Sequence, residues 1–256
     1  MSSSIYILAA LFFITAILYS SVGFGGGSSY TALLVLSGTD YSFIPIISLS
    51  CNIIVVSGNV FFSLQNRLLD WRSALPLVML SVPLSFMAGT LPINERFFVL
   101  LLAAMLFLAG IQMIIGDTSR ATVKTSQDKP RPTYIAVATG GVLGFASGLV
   151  GIGGGIFLAP VLHLLNWASA RKIAAICSLF ILVNSIAGLL GQLTKLESSV
   201  DAHKLLKFWP LITAVFLGGM AGRRISLSFL SERMIKRLTA ILILFVALRL
   251  GISELR

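Results

Sequence analysis

The sequence predicts an all-α, polytopic integral membrane protein of two inverted repeats, each a glycine-broken, re-entrant helix pair followed by three transmembrane helices. Three observations predict it. The 256 residues are 57% hydrophobic and only 11% charged, with a mean hydropathy of +0.97. A soluble domain gives about a quarter of its residues to Asp, Glu, Lys and Arg to cover its surface. Charge-free runs of the roughly 20 residues that cross a hydrocarbon core recur from one end of the chain to the other. Finally, two glycine clusters, Gly23-Phe24-Gly25-Gly26-Gly27 and Gly151-Ile152-Gly153-Gly154-Gly155, lie 128 residues apart.

The first apolar run extends from Ile5 to Leu36 and the second from Phe43 to Leu64, with Asp40 the only charge before Asn66. Pro45 falls near the start of the second, where a missing N–H costs nothing. Ser73 to Leu91 and Phe97 to Ile115 follow, each without charge. Residues 116–132 then bring Asp117, Arg120, Lys124, Asp128, Lys129 and Arg131 with two prolines, an exposed linker. It separates a first repeat, 1–115, from a second, 133–256. The second repeat contains the apolar runs Thr133 to Asn166, Ile173 to Leu193, Leu205 to Gly222 and Met234 to Leu248. No basic stretch precedes the first run, so a cleaved signal peptide is not expected.

The opening run of each half is too long for one crossing, since about 32 residues of helix measure roughly 48 Å against a 30 Å core. The glycine cluster in each run marks the break, because consecutive glycines are poor helix formers. Each half is therefore read as a long helix, a glycine tip and a short half-helix beginning near Ser28 or Ile156. Other landmarks repeat in the same order. Met87-Ala88-Gly89 answers Met220-Ala221-Gly222, Cys51 answers Cys177 and Asn59 answers Asn184. A duplicated bundle with broken helices is a transporter pattern.

The net charge of +10, 19 Lys plus Arg against 9 Asp plus Glu, reads as positive charge in cytoplasmic loops rather than as a nucleic-acid surface. If the glycine-broken pair enters and returns, Lys and Arg divide 13 to 6 between the two sides, and if it crosses once they divide 11 to 8. The returning hairpin gives the stronger asymmetry. It predicts inverted repeats, with both termini outside and the linker in the cytoplasm.

A helix ending inside the membrane leaves backbone groups unpaired, which is tolerated only against protein or a cavity. At the start of each half-helix the free N–H groups and the positive dipole end favour an anion. The candidate binding residues are therefore Gly25, Gly26, Gly27, Ser28 and Ser29 at the first tip and Gly153, Gly154, Gly155 and Ile156 at the second. Polar residues inside the spans join them as uncharged donors: Asn52, Ser57 and Asn59 in the first half, Ser178, Asn184 and Gln192 in the second. Each of these has an alternative role in interhelical hydrogen bonding. Gly140, Gly144 and Gly148, with the weaker partner Ala16 and Ser20, read as a packing stripe. All nine acids lie outside the spans, which leaves no buried carboxylate for proton relay. Arg249 reads as a snorkelling side chain and His163 as a structural imidazole.

Two cysteines in apolar runs and two histidines, His163 and His203, make neither a disulfide framework nor a metal site. No cofactor is expected. Ser147 and His163 would be the only basis for an intramembrane serine enzyme. The surrounding Gly144-Phe145-Ala146-Ser147-Gly148 is not a nucleophile elbow, so no catalysis is expected. A passive anion channel stays open beside a carrier, since channels also use helix dipoles and uncharged donors.

The motifs Ser20-Ser21-Val22-Gly23-Phe24-Gly25-Gly26-Gly27 and Ser147-Gly148-Leu149-Val150-Gly151-Ile152-Gly153-Gly154-Gly155, with Pro160 after the second, resemble the TauE/SafE sulfite exporter family, also called the toluene sulfonate uptake permeases. Leu69-Asp70-Trp71-Arg72, ahead of the Ser73 run, belongs to the same resemblance, which covers nearly the whole chain. Phe24 stands where the family has an aliphatic residue, and Ser28-Ser29 where it has apolar ones. The resemblance implies a transporter of sulfite, thiosulfate or organosulfonates in a prokaryotic plasma (inner) membrane. The expected partners are a small sulfur oxyanion or sulfonate and membrane lipid, but not nucleic acid, and a homodimer is left open.

Overall fold

The structure, a computed structural model, describes residues 2–21, 23–115, 133–165, 167–195, 205, 207–224 and 232–254. The linker 116–132 lies outside the described residues. So does the side chain of His163. The described residues form ten helices: α1 (Ser2–Ser21), α2 (Gly27–Leu36), α3 (Ile44–Gln65), α4 (Trp71–Thr90), α5 (Glu95–Ile115), α6 (Thr133–Val150), α7 (Gly155–Leu164), α8 (Ala170–Leu193), α9 (Trp209–Arg224) and α10 (Glu232–Glu254). There is no strand among them. Five helices, α3, α4, α5, α6 and α8, are long and apolar enough to cross a membrane.

Local chemistry sets the boundaries. Pro45 sits in the first turn of α3. Asp70 caps α4, accepting from the Arg72 N–H at 3.1 Å and the Ser73 hydroxyl at 2.7 Å. Asn94 does the same for α5, through the Phe97 N–H at 2.8 Å. The sequence pattern suggests a ninth helix from Leu205, but the helix starts at Trp209, with Pro210 in the first-turn position that suits its fixed φ.

At both glycine clusters the chain turns back on itself. The Tyr30 ring in α2 stacks on Phe12 in α1 with centroids 4.8 Å apart, a contact that helices continuing in one direction would not make. In the second half, Leu158 and Leu162 of α7 share a core cluster with Ala136 of α6, Ala74 and Leu77 of α4 and Ile173 of α8.

The two halves interlock. The first helix of each packs along the fourth of the other, α1 on α9 and α6 on α4, and small residues permit the approach. A Cβ on Gly140 would meet the Leu77 carbonyl oxygen at 2.0 Å. The equivalent atom on Gly144 would meet Ser81 at 2.5 Å, and on Gly148 the Ser85 carbonyl oxygen at 2.0 Å. Gly218 and Gly222 of α9 fit in the same way against Phe13 and Ile17 of α1. The order of these contacts makes both pairs parallel. The central pair, α3 and α8, runs antiparallel. Leu49 lies against Gly188, Asn52 and Ile181 flank the same glycines, and Asn59 and Ser178 reach the same tip. These two helices are two-thirds enclosed, against one-third for α4 and α5, which places the buried polar residues of α3 and α8 at the centre of the bundle. Met79, Leu108, Val142 and Ile241, all more than 60% exposed, cover the outside, as an apolar solvent requires.

Candidate functional site: two glycine tips held by the opposite half

The two tips meet. A Cβ on Gly27 would lie 2.1 Å from the carbonyl oxygen of Ile152 and 2.5 Å from Asn52 Nδ2, so the backbone of one tip rests on that of the other. The two clusters achieve their turns differently. In the second tip Gly151, Gly153 and Gly154 all have positive φ, +78°, +87° and +73°, a backbone that L side chains rarely adopt. In the first tip only Gly23 does, at +82°. Gly26 is an ordinary N-cap with φ −93° and is small because a Cβ would strike the Tyr30 ring at 2.7 Å.

Each tip is held by a side chain from the other half. Asn52 of α3 donates through Nδ2 to the Ile152 carbonyl at 3.1 Å. Ser178, its counterpart on α8, turns its hydroxyl to the carbonyl of Gly23, and also to that of Ala174 at 2.9 Å. Asn59 donates to the Phe24 carbonyl at 3.4 Å and accepts from Ser20, which also donates to the Gly219 carbonyl at 2.9 Å. Gln192 donates to the carbonyls of Gly148 at 2.9 Å and Leu149 at 3.4 Å, while its Oε1 accepts from Lys195 Nζ at 3.0 Å. Lys195 lies just beyond α8, and its partial burial lowers its pKa from the ordinary value.

These bonds have a common direction. They satisfy carbonyls of the broken helices and of the tips, the acceptors that a helix end leaves over. The N–H groups are treated differently. The first helical bonds run from Tyr30 N–H to Gly26 and from Phe157 and Leu158 N–H to Gly154. The N–H groups of Gly25, Gly26, Gly153 and Gly154 have no acceptor among the described residues. The carbonyls of Gly23, Phe24 and Ile152 are held by side chains, those of Gly25, Gly151 and Gly153 have no donor among the described residues, and the open N–H groups at the starts of α2 and α7 are what an anion could use.

The structure brings together most of the residues singled out from sequence. Gly25 faces Asn52, Val56 and Ile181. Gly153 faces Asn52, Ile181 and Ser185. Gly154 faces Phe180, the Leu143 carbonyl and Ser147. Gly155 packs on Ile181. Ser28 is buried in the first turn of α2, and its hydroxyl bonds to no described residue. Ser29 is engaged by the Tyr19 hydroxyl at 3.0 Å. Neither serine caps α2. Asn184 spends Nδ2 on the Phe180 carbonyl of its own helix at 2.8 Å. Three residues are not brought to the tips by any described contact: Asn184, bonded within its own helix, Ser57, which is exposed and bonds back to the Ile53 carbonyl, and Ile156, whose side chain packs against the apolar core. Arg249 is exposed, as a snorkelling side chain would be.

Sequence reasoning passed over Ser185 and weighed Ser147 only as a nucleophile or a packing residue; the hydroxyls of both are buried and unpaired beside Gly153 and Gly154. Ser185 sits four residues after Ile181, so the helical period places it over the same tip. Ser147 was read within the small-residue stripe. It belongs to the stripe and also touches the tip.

Three proteins similar to this chain are each called a probable membrane transporter protein. One from Sinorhizobium fredii is 32% identical over 243 residues, covering 95% of this chain and 96% of its own. One from Methanocaldococcus jannaschii is 27% identical over 197 residues, 71% and 70% of the two chains. One from Bacillus subtilis is 24% identical over 270 residues, 94% and 95%. No solved structure gives a significant match. The family model described as "Sulfite exporter TauE/SafE" matches residues 8–250. With that match spanning both tips and both interlocked halves, the chain belongs to the TauE/SafE family of membrane transporters.

Proposed function

We propose that the protein carries small sulfur-containing anions, such as sulfite, thiosulfate or an organosulfonate, across a prokaryotic plasma membrane by alternating access around the junction of its glycine tips. The observation that carries this reading is the convergence of two helix N-termini, with open N–H groups, on one buried point flanked by uncharged side chains. A carboxylate there would repel the ligand, and all nine acids lie outside the apolar runs of the sequence. An anion leaving a cell that is negative inside is driven by about 2.3 kcal/mol per charge per 100 mV, so export requires no coupled ion. The family description, naming sulfite, supports the substrate class. Counterflow of labelled sulfite or thiosulfate in proteoliposomes tests carrier action. Accumulation against an unlabelled internal pool is expected, whereas a linear, non-saturating flux would make the protein a channel.

Alternating access also rests on inverted repeats of residues 1–115 and 133–256. The returning chain at each tip, the parallel α1–α9 and α4–α6 pairs and the antiparallel α3–α8 pair support that arrangement. With the 13 to 6 distribution of Lys and Arg, it puts the 116–132 linker in the cytoplasm. A Thr125→Cys variant is expected to resist an impermeant maleimide in intact cells and to react after permeabilisation. The native Cys51 and Cys177 are buried and give little background. Labelling from outside would reject the orientation.

The mildest probe of the site is Ser28→Ala, which removes a hydroxyl that no described residue uses. If that hydroxyl meets the anion, affinity falls by about 0.5–1.5 kcal/mol, roughly two- to twelvefold, with the melting temperature unchanged. Titrating the thermal shift with sulfite and thiosulfate reads both quantities together.

A further inference from the structure

Asn52 is fully buried between the two tips, close to Gly25, Gly27 and Gly153. Its amide orientation is fixed by its neighbour. Nδ2 donates to the Ile152 carbonyl at 3.1 Å, and the flipped amide would set two acceptors face to face. Oδ1 therefore points at the first tip, where a Cβ on Gly25 would come within 2.7 Å of it, with Val56 and Ile181 on either side. It has no hydrogen-bond partner among the described residues. A buried amide oxygen left unpaired costs stability, so its retention needs a reason.

A cation does not supply that reason. No Asp or Glu lies against the tip glycines, and the open N–H groups and positive ends of α2 and α7 face the same junction. A fully deprotonated anion is not sufficient either, because it would place its own oxygens against Oδ1. The ligand that satisfies both features is an anion that also donates. Its oxygens take the N–H groups and the unpaired Ser185 hydroxyl beside Gly153, and its own O–H or N–H goes to Asn52 Oδ1.

We infer that the transported anion carries a hydrogen-bond donor next to its anionic oxygens, as a protonated oxyanion or a hydroxy- or aminosulfonate does, and that Asn52 reads that donor. The inference rests on the anion site proposed above. It makes Asn52 a specificity residue: of sulfite at neutral pH the site takes the singly protonated form, and thiosulfate, which carries no proton there, is the poorer of the ligands proposed above.

Three sulfonates of equal heavy-atom count separate the possibilities: propanesulfonate, hydroxyethanesulfonate and aminoethanesulfonate. Each is titrated at one neutral pH by thermal shift of the purified full-length protein, in sodium and in choline buffer. Hydroxyethanesulfonate is expected to bind about tenfold more tightly than propanesulfonate, the effect of pairing one buried acceptor. Asn52→Ala should remove the preference. A preference for aminoethanesulfonate alone would keep the inference and assign the donor as N–H. Because Asn52→Ala also unties Ile152 and is expected to melt earlier, the wild-type ratio is the deciding measurement. Equal binding of propanesulfonate and hydroxyethanesulfonate by the wild type would overturn the role of Asn52 while leaving the anion site standing. Shifts that follow sodium whatever the anion would give Oδ1 to a cation and overturn it too. Absence of any shift with all three sulfonates, and with sulfite and thiosulfate, would remove the anion site and this inference together.

Discussion

Gly27→Val is expected to abolish transport and to lower the melting temperature by many degrees. At this position the obstacle is backbone. A Cβ would lie 2.1 Å from the Ile152 carbonyl oxygen and 2.8 Å from its carbon, so no side-chain rotation relieves the clash. The second tip would have to retreat, breaking the 3.1 Å bond from Asn52 and separating the two sets of open N–H groups. Ordinary overpacking costs about 1–3 kcal/mol, and displacement of a hydrogen-bonded tip lies at or above the top of that range. Gly27→Ala tests the same contact more gently, and its initial uptake rate in proteoliposomes should be near background even where the purified protein is folded. Wild-type uptake and melting in Gly27→Ala would mean that the tips do not meet.

Gly148→Val is expected to fail earlier, in assembly of the halves. Its Cβ would meet the Ser85 carbonyl oxygen at 2.0 Å, with the carbonyl carbon and Cα of Ser85 at 2.8 and 2.9 Å, so α6 cannot lie along α4. The Gly148 carbonyl is also the acceptor for Gln192, and Gly188 of α8 packs on its Cα. Three helices therefore part together. The measurement is the yield of monodisperse protein in detergent and its unfolding midpoint, with Gly251→Ala as comparison. Gly251 lies in α10 with nothing within 4 Å of the added methyl group, and alanine there should be neutral or stabilise the helix by up to about 1 kcal/mol. Equal midpoints for the two variants would refute the α4–α6 contact.

Much of the fold was legible because a bilayer imposes simple rules on sequence. The apolar runs at 43–64, 73–91, 97–115 and 173–193 became α3, α4, α5 and α8 within a few residues, since length and absence of charge suffice where no water can compete for the backbone. The glycine breaks were legible for the same reason, as a 32-residue run cannot be one crossing. Side-chain roles were less legible. Asn52 and Asn184 were read as donors to a ligand, yet the structure commits the Nδ2 of both to protein carbonyls and leaves both Oδ1 atoms unpaired. An amide presents both a donor and an acceptor, and only the neighbour at 3.1 Å decides which end is spent.

The sequence alone determined that this chain is a membrane bundle, that two of its long apolar runs break at glycine clusters, and that no Asp or Glu falls within its apolar runs. Those properties are local or additive, carried by composition, run length and helix propensity. Only the tertiary structure decided that the halves interlock, with α1 on α9 and α6 on α4. It alone brought Gly27 against Ile152 and let Asn52 and Ser178 each hold the tip of the opposite half. These contacts join residues from 63 positions apart, as Gly148 and Ser85, to 205 apart, as Gly218 and Phe13, and their geometry depends on how closely two backbones approach. A side-chain pattern along one helix encodes which face is small or polar, but the partner that fills that face is selected by packing of the whole bundle.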